Sequence, residues 1–116
     1  MIRAYFEMVG GKLVGCAVIG HGGENARSQE GKILCAAVSS AVELVCNTLT
    51  ECFHADVDIQ AEPNEIASRN RLAFRLQKPD ADQSELIRGL LIHFQNLAED
   101  FHGGISIEIV EGDESD

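Results

Sequence analysis

The sequence predicts an α+β domain of two layers, in which two helices pack on one face of a mixed β-sheet. Several short segments alternate apolar with polar residues, which is typical of strands that bury one face. Two longer segments repeat apolar residues at spacings of three and four, which is typical of amphipathic helices. Glycine and proline separate these segments, and the resulting order is β-β-α-β-β-α-β.

The first two strands are predicted to form a hairpin. Apolar residues occupy alternate positions from Ile2 to Met8, and the pair Gly10-Gly11 supplies a tight turn. The second strand, Leu13 to Ile19, carries apolar residues on both faces. We therefore expect it to lie in the centre of the sheet.

A glycine-rich segment connects the second strand to the first helix. Residues 22–31 include Gly22, Gly23 and Gly31, and the segment is longer than most strand-to-helix connections, which favours a functional role. A plain surface connection is the alternative. A phosphate-binding role is disfavoured because neither G-x-G-x-x-G nor a Walker lysine motif is present. The segment holds too little apolar surface to order alone, so we expect it to be mobile when empty and to close on a bound partner.

The first helix is predicted over residues 32–53, a run without glycine or proline. Small residues follow Cys35 and would let another group approach its thiol closely. One apolar stripe should face the sheet. It consists of Leu34, Val38, Ala41, Val45, Leu49 and Cys52.

Two half-buried strands are predicted next, over residues 55–62 and 71–77. Their polar positions carry opposite charges, so we expect cross-strand ion pairs to fix the register. The candidates are Asp56, Asp58 and Glu62 on one strand and Arg69, Arg71 and Arg75 on or beside the other.

The second helix is predicted to begin after Pro79, with Asp82 or Ser84 as its cap, and to end at Gly103-Gly104. A last strand covers residues 105–109. The single domain then comprises residues 1–110, and the acidic tail, residues 111–116, should be disordered because it has no core residues.

Composition narrows the class of protein. The chain of 116 residues is long enough for one core, and its formal net charge of −10 disfavours nucleic acid and favours a basic protein or peptide as partner. No signal peptide is apparent and no apolar run approaches the length of a membrane span, so we expect no membrane partner and a cytoplasmic location. The four cysteines lie in strand or helix contexts and should be reduced.

One histidine and one cysteine form the candidate site. His21 ends the second strand and Cys35 begins the first helix, so their side chains are expected to meet at one edge of the domain. Free N–H groups in a helix's first turn favour an anion, and a nearby imidazole adds to this preference for a thiolate. Such a pair can transfer an acyl group, with helix N–H groups as the oxyanion hole. The alternative is that Cys35 is a small buried apolar residue.

A metal site is not expected. Cys46, Cys52 and His54 are spaced as C-x5-C-x-H, which matches no usual zinc arrangement, so we interpret them as core and helix-end residues. His93 and His102 join no cluster and are interpreted as surface or helix-end residues. No cofactor is expected either.

Between Gly20 and Ser39 the chain resembles the ribosomal-processing cysteine proteases of bacteria. That family has Gly-His, a variable loop, a glycine and then a core of the form I-V-C-A-A-V-S. Here Gly20-His21 is followed by Gly31 and by the run ILCAAVS at residues 33–39. The position before that run, usually aspartate, is lysine in this chain, and the usual Gly-His-Ala is Gly-His-Gly.

The resemblance implies a cysteine endopeptidase that removes the basic N-terminal extension of a large-subunit ribosomal protein and acts as a homodimer. It implies that His21 and Cys35 are the catalytic pair and that Ser39 supports them. Lys32 would help to hold the thiolate, leaving Glu24 or Glu30 to orient the imidazole. The substrate loop would include Gly20, Gly22, Gly23 and Gly31. The alternative is a non-catalytic peptide-binding module that acts in ribosome assembly, in which Cys35 only packs.

Overall fold

The strands and helices follow one another along the chain in the predicted order. The computed structural model describes residues 1–21, 29–64 and 69–112. Within those residues the strands are β1 (Ile2–Val9), β2 (Lys12–His21), β3 (Val57–Asn64), β4 (Arg69–Leu76) and β5 (Ile105–Glu111), and the α-helices are α1 (Gln29–Asn47) and α2 (Ala81–Asp100). The predicted α+β class is confirmed.

The strands form one sheet in the order β3-β4-β2-β1-β5. The pair β1 and β5 is parallel and the other neighbouring pairs are antiparallel, so the sheet is mixed as predicted. β2 has a partner on each side, which confirms its central position. Its last residue, His21, pairs with Arg69 at the start of β4.

One face of the sheet carries the core. Phe6, Cys16 and Phe74 are paired across β1, β2 and β4, and all three are buried. α2 covers this row: the ring of Phe94 meets the ring of Phe6 edge-on, with centroids 5.7 Å apart. Such a contact adds to the stabilisation from burial.

α1 contributes a second set of side chains to the same core. Its stripe differs from the prediction at two positions, because Ala41 is only half-buried and Cys52 is exposed, whereas Val42 is fully buried. The buried residues of α1 and its continuation are Leu34, Val38, Val42, Val45, Cys46 and Leu49.

The opposite face of the sheet carries an ion pair that the sequence did not predict. Asp58 does lie opposite Arg75 in the register of β3 and β4. The Arg75 side chain, however, donates from Nε to Glu7 Oε1 at 2.8 Å, across β2. Gly15 lies between these two residues, and its missing side chain leaves room for the contact.

The boundaries of the first helix also differ from the prediction. α1 begins at Gln29 rather than Lys32, and after Asn47 it continues as a π-helical segment, Thr48–Cys52. His54 then adopts a left-handed conformation with φ of 53°, which ends the helical run. The predicted helix-end position of His54 agrees with this geometry.

The cap of α2 is Asp80, not Asp82 or Ser84. An Asp80 carboxylate oxygen accepts a hydrogen bond from the backbone N–H of Gln83 at 2.9 Å. The Ser84 hydroxyl instead accepts from the backbone N–H of Leu13 at 2.8 Å, which ties α2 to β2.

The chain remains ordered past the predicted domain boundary at residue 110. β5 continues to Glu111, and the backbone N–H of Gly112 donates to the Met8 carbonyl at 2.7 Å. The first two residues of the predicted tail, Glu111 and Gly112, are therefore held against the sheet. Residues 113–116 of the tail lie outside the described residues.

Candidate active site

Cys35 lies further into its helix than the sequence predicted. It is the seventh residue of α1, so its backbone N–H falls within the regular helical hydrogen-bonding pattern. The free N–H groups belong to the first turn, and their effect on a charge falls off within that turn. The prediction that Cys35 begins the helix is wrong, because the helix extends through Gly31, which sequence reasoning had placed in a loop.

The Cys35 side chain is half-buried and lines a cavity of about 370 Å³ on the helix-covered side of the sheet. One wall is α1, and the other is formed by the strands near the end of β2. The wall from α1 also contains Val38, Ser39, Val42 and Glu43; the other comprises Ile2, Val18, Gly20, Ala61, Arg71 and Leu72.

Two further candidate residues lie at this cavity. Ser39 is exposed, one turn beyond Cys35 on α1, as the helical spacing predicted. Gly20 lines the opposite wall, and a Cβ atom built there would meet no atom within 4 Å. The cavity is therefore open at the position immediately before His21.

The backbone brings His21 to this edge of the sheet, because His21 ends β2 directly after Gly20. Its side chain lies outside the described part of the molecule, so the contact between imidazole and thiol stays a prediction. Gly22, Gly23 and Glu24 also lie outside the described residues.

Lys32 and Glu30 both lie in the first turn of α1 rather than in a loop. Both are exposed, and neither lines the cavity beside Cys35. Lys32 precedes Cys35 by three residues, a spacing at which helical side chains are neighbours. A role for either residue stays a prediction.

Burial distinguishes the four thiols. Cys16 and Cys46 are buried, and burial raises the pKa of Cys16 to about 12 and that of Cys46 to about 11. A smaller contribution to Cys46 comes from the negative charge of Glu43. Cys52 is exposed but does not line the cavity. Of the thiols that solvent reaches, Cys35 is the one at the cavity.

The described residues contain no group of three or more His, Cys, Asp or Glu side chains that is arranged to hold a metal ion. Cys46 is buried within the core whereas Cys52 is exposed, so the C-x5-C-x-H run does not form a common site.

Sequence reasoning missed Glu43, which lines the same cavity. The signal was present, because Cys35, Ser39 and Glu43 follow one another at intervals of four and so lie on one side of a helix. Nothing in the sequence indicated that this side would border a cavity.

One expectation about membranes is wrong. The helical run Gln29–Cys52 is long and apolar enough to cross a membrane, although the sequence was expected to contain no such run. In the folded chain its apolar stripe packs against the sheet instead, as in the core helices of many globular proteins. Length and composition alone are therefore weak evidence for a membrane span.

The fold is shared with solved structures from two bacteria. A structure of SMU.848 from Streptococcus mutans aligns with a TM-score of 0.82 at 24% identity, covering 97% of this chain and 96% of that one. A ribosomal processing protease Prp from Staphylococcus aureus, in complex with a covalently linked product peptide, aligns with a TM-score of 0.72 at 18% identity, covering 95% and 100%. The same S. aureus protease with a substrate peptide aligns with a TM-score of 0.71 at 14% identity, again covering 95% and 100%. The comparison with curated proteins found no match.

The protein is a cysteine protease. Residues 1–106 match the family model described as cysteine protease Prp, so the chain belongs to this family. The resemblance noted in the sequence is thereby confirmed. The family match favours an enzyme over the alternative of a non-catalytic module.

Proposed function

We propose that the protein is an endopeptidase that removes the basic N-terminal extension of a large-subunit ribosomal protein, with Cys35 as nucleophile and His21 as general acid and base. The observation that carries the proposal is the half-buried Cys35 thiol in a cavity whose opposite wall includes Gly20, the residue directly before His21 at the end of β2. The S. aureus relative, described as a ribosomal processing protease and solved with a substrate peptide, supports the substrate class.

The first half of the reaction forms an acyl-enzyme. The Cys35 thiolate attacks the carbonyl carbon of the scissile peptide bond, and a C–S bond forms. The C–N bond then breaks as the His21 imidazolium gives its proton to the departing amine. The S. aureus relative is also described as carrying a covalently linked product peptide.

The second half consumes one water molecule. Neutral His21 takes one proton from water as the water oxygen attacks the thioester carbon, and the C–S bond breaks to release the thiolate and the new carboxylic acid, which loses its proton to solvent. The negative oxygen that develops in each half needs hydrogen-bond donors. Because the N–H of Cys35 is engaged within α1, the Ser39 hydroxyl at the cavity is a better placed donor than the helix backbone.

The remaining candidate residues have supporting roles in this proposal. Lys32 stabilises the thiolate from the preceding turn of α1, and Glu30 orients the imidazole if Glu24 does not. Gly20 leaves space for the substrate backbone at the cavity beside the thiol. Gly31 in α1, and Gly22 and Gly23 outside the described residues, stay proposed members of the substrate loop.

Cleavage of a peptide that spans a ribosomal extension junction tests the proposal, with the products identified by mass spectrometry. Cys35→Ala should abolish cleavage and keep the fold, because a helix accepts alanine without strain. His21→Ala should slow cleavage by roughly two to four orders of magnitude. Cys52→Ala, which removes an exposed thiol away from the cavity, is the control and should cleave normally. If Cys35→Ala or His21→Ala cleaves at the wild-type rate, the catalytic pair is misassigned.

We also propose that the protein acts as a homodimer and that the face of the sheet opposite the helices is the contact surface. Tyr5, Ala17 and Ala73 are paired across the centre of that face, and a cavity of about 350 Å³ opens over them. The face carries both signs of charge in a chain of net charge −10, so two copies can meet there without uniform repulsion.

Sedimentation at micromolar concentration should then give twice the monomer mass of 12.6 kDa. Ala17→Glu should shift the mass to that of the monomer, because it buries an unpaired charge at the contact. A wild-type mass near 12.6 kDa would exclude the dimer, and a dimeric Ala17→Glu variant would exclude this surface.

The proposed substrate also agrees with the charge of the chain and with a cytoplasmic location. An acidic surface attracts basic peptides over distances of about one Debye length, roughly 8 Å at physiological ionic strength. Fractionation of cells that express the chain, with detection in the cytosolic fraction, tests the location.

A further inference from the structure

The cavity beside Cys35 has apolar walls and one charged position on its helical side. Most of its lining consists of aliphatic side chains or glycine, from β1, β2, β3, β4 and α1. Among the described residues that line it, only Glu43 and Arg71 carry a charge. The kind of substrate side chain that the cavity favours depends on whether Glu43 or Arg71 is directed towards the ligand.

The Arg71 side chain is directed away from the cavity. Arg71 lies on the same face of β4 as Ala73 and opposite to Leu72, and its Nη1 donates to Gln60 Oε1 at 2.6 Å. Gln60 and Arg71 both line the other cavity, on the face of the sheet that carries no helix. Arg71 therefore borders the cavity beside Cys35 through its place in the strand rather than through its guanidinium.

The Glu43 carboxylate is free to meet a ligand. Glu43 is exposed, and within the described part of the chain it forms no ion pair and no side-chain hydrogen bond. The neighbouring positions on its own helix, Ser39 and Asn47, carry no positive charge. A carboxylate at the margin of an apolar cavity suits an amphipathic side chain with a long aliphatic stem and a cationic end.

The distance between Cys35 and Glu43 sets where such a side chain would lie in a substrate. The two residues are eight positions apart on α1, which corresponds to about 12 Å along the helix axis. An extended peptide advances about 3.3 Å per residue, so a substrate placed along α1 covers this span with about three or four residues. The cationic residue would therefore lie about three or four positions from the bond that Cys35 attacks.

We propose that Glu43 is a specificity residue that selects peptides with a lysine or arginine three or four residues from the scissile bond. The inference rests on the proposed protease function and assigns to Glu43 a role that neither the catalytic pair nor Ser39 has. Its carboxylate pairs with the cationic end of the substrate side chain, while the aliphatic stem covers the apolar wall formed by residues such as Val42 and Leu72.

The test uses a set of cleavable ribosomal-extension peptides. Each peptide is changed at one position, three or four residues before or after the scissile bond, and carries either lysine or norleucine there. Norleucine keeps the aliphatic stem and removes the charge. The ratio of kcat/KM for the lysine peptide to that for the norleucine peptide is measured for wild type, Glu43→Gln, Glu43→Lys and Glu99→Gln. Glu99, an exposed residue near the end of α2, provides a matched loss of one negative charge away from the cavity.

At one of these positions the wild-type ratio should be about 5, the factor expected from a mostly exposed ion pair. Glu43→Gln should bring the ratio to about 1, Glu99→Gln should leave it near the wild-type value, and Glu43→Lys should bring it below 1. A ratio that is about 1 at every position in the wild type, or that Glu43→Gln does not change, would overturn the role of Glu43 and leave the protease function standing.

If wild type cleaves none of the peptides, the proposed removal of a ribosomal extension fails by itself. The dissociation constants of the same lysine and norleucine peptides, measured by fluorescence anisotropy with wild type and Glu43→Gln, then decide the role of Glu43. Equal constants for the two peptides in both proteins would overturn it.

Discussion

Burial and exposure give the four cysteines different chemistry, although their sequence contexts look alike. Cys16 and Cys46 are core residues whose protons are held by burial, and Cys52 is exposed at the end of the π-helical segment. Cys35 is intermediate in exposure and lines a cavity. Accessibility alone would therefore make Cys52 the most reactive thiol, whereas activation at the candidate site would favour Cys35.

Alkylation separates these two possibilities. We expect iodoacetamide near neutral pH to modify Cys35 at least about tenfold faster than Cys52, because a thiolate is the reactive species and an adjacent imidazolium favours it. Peptide mapping by mass spectrometry over time gives both rates from one sample. Cys16 and Cys46 should react slowest, since both are buried.

His21→Ala is the matched variant for this measurement. It should slow the alkylation of Cys35 and leave the rate at Cys52 unchanged. If Cys52 reacts faster than Cys35 in the wild type, or if His21→Ala affects both rates alike, Cys35 is not activated by His21.

At the residue scale, the sequence predicted what a local motif can encode. Cys35 and Ser39 follow from one run of residues, and both line the cavity. Glu43 was missed because its importance depends on which strands face that side of α1. The Glu7 and Arg75 pair was missed for a similar reason, since it requires the order β4-β2-β1 and a glycine at position 15 between the two side chains.

At the scale of elements, order and type were predictable and boundaries were not. Gly31 was interpreted as the end of a loop, but a glycine inside a helix costs only about 1 kcal/mol, which the packing of α1 offsets. Ser84 was predicted as a cap for α2, but its hydroxyl accepts a hydrogen bond from the backbone N–H of Leu13 instead. Periodicity identifies an element, whereas its ends depend on contacts made elsewhere in the chain.

Gly15 in the central strand gives a prediction about the sheet. A Cβ atom at this position would lie 2.5 Å from the Phe74 carbonyl oxygen, and this oxygen belongs to backbone that cannot move aside cheaply. Gly15→Ala should therefore lower the free energy of unfolding by about 1–3 kcal/mol, as overpacking does. Urea unfolding followed by circular dichroism measures the change.

Gly89 provides the control for that substitution. It is exposed within α2, and an added Cβ atom would meet nothing within 4 Å. Gly89→Ala should raise the free energy of unfolding by about 0.5–1 kcal/mol, because alanine is the better helix former. If Gly15→Ala leaves the free energy of unfolding unchanged, or raises it as Gly89→Ala should, then the close approach of β2 to β4 at Gly15 does not restrict the size of this residue.

At the scale of the whole molecule, one core joins β2 to α1 and holds both buried thiols. Cys16 contributes from the sheet and Cys46 from the helix, and both belong to the same cluster of buried residues. Ionising either thiol would place a charge in this core, which burial disfavours. The pKa of Cys16 is accordingly raised to about 12 and that of Cys46 to about 11, from an ordinary value near 9.

These raised pKa values predict that the fold loses stability in alkaline solution. Above about pH 9 the unfolded chain releases both protons while the folded chain retains them until about pH 11 for Cys46 and about pH 12 for Cys16. The unfolded state then binds fewer protons, so the free energy of unfolding falls as the pH rises. Each thiol contributes a slope of at most about 1.4 kcal/mol per pH unit, and Cys46, whose pKa is raised less, contributes over a narrower pH range than Cys16.

Urea unfolding in reducing buffer at pH 8, 9, 10 and 11 measures the slope. Cys16→Ala should be less stable than wild type at pH 8 but should lose less stability over this range, since only Cys46 remains as a buried thiol that ionises on unfolding. Cys52→Ala should keep the wild-type slope, because Cys52 is exposed in the folded state as well. Other groups that titrate in this range are common to all three proteins, so their effects cancel in the comparison. Equal slopes for wild type and Cys16→Ala would mean that the Cys16 thiol ionises as readily in the folded core as in the unfolded chain.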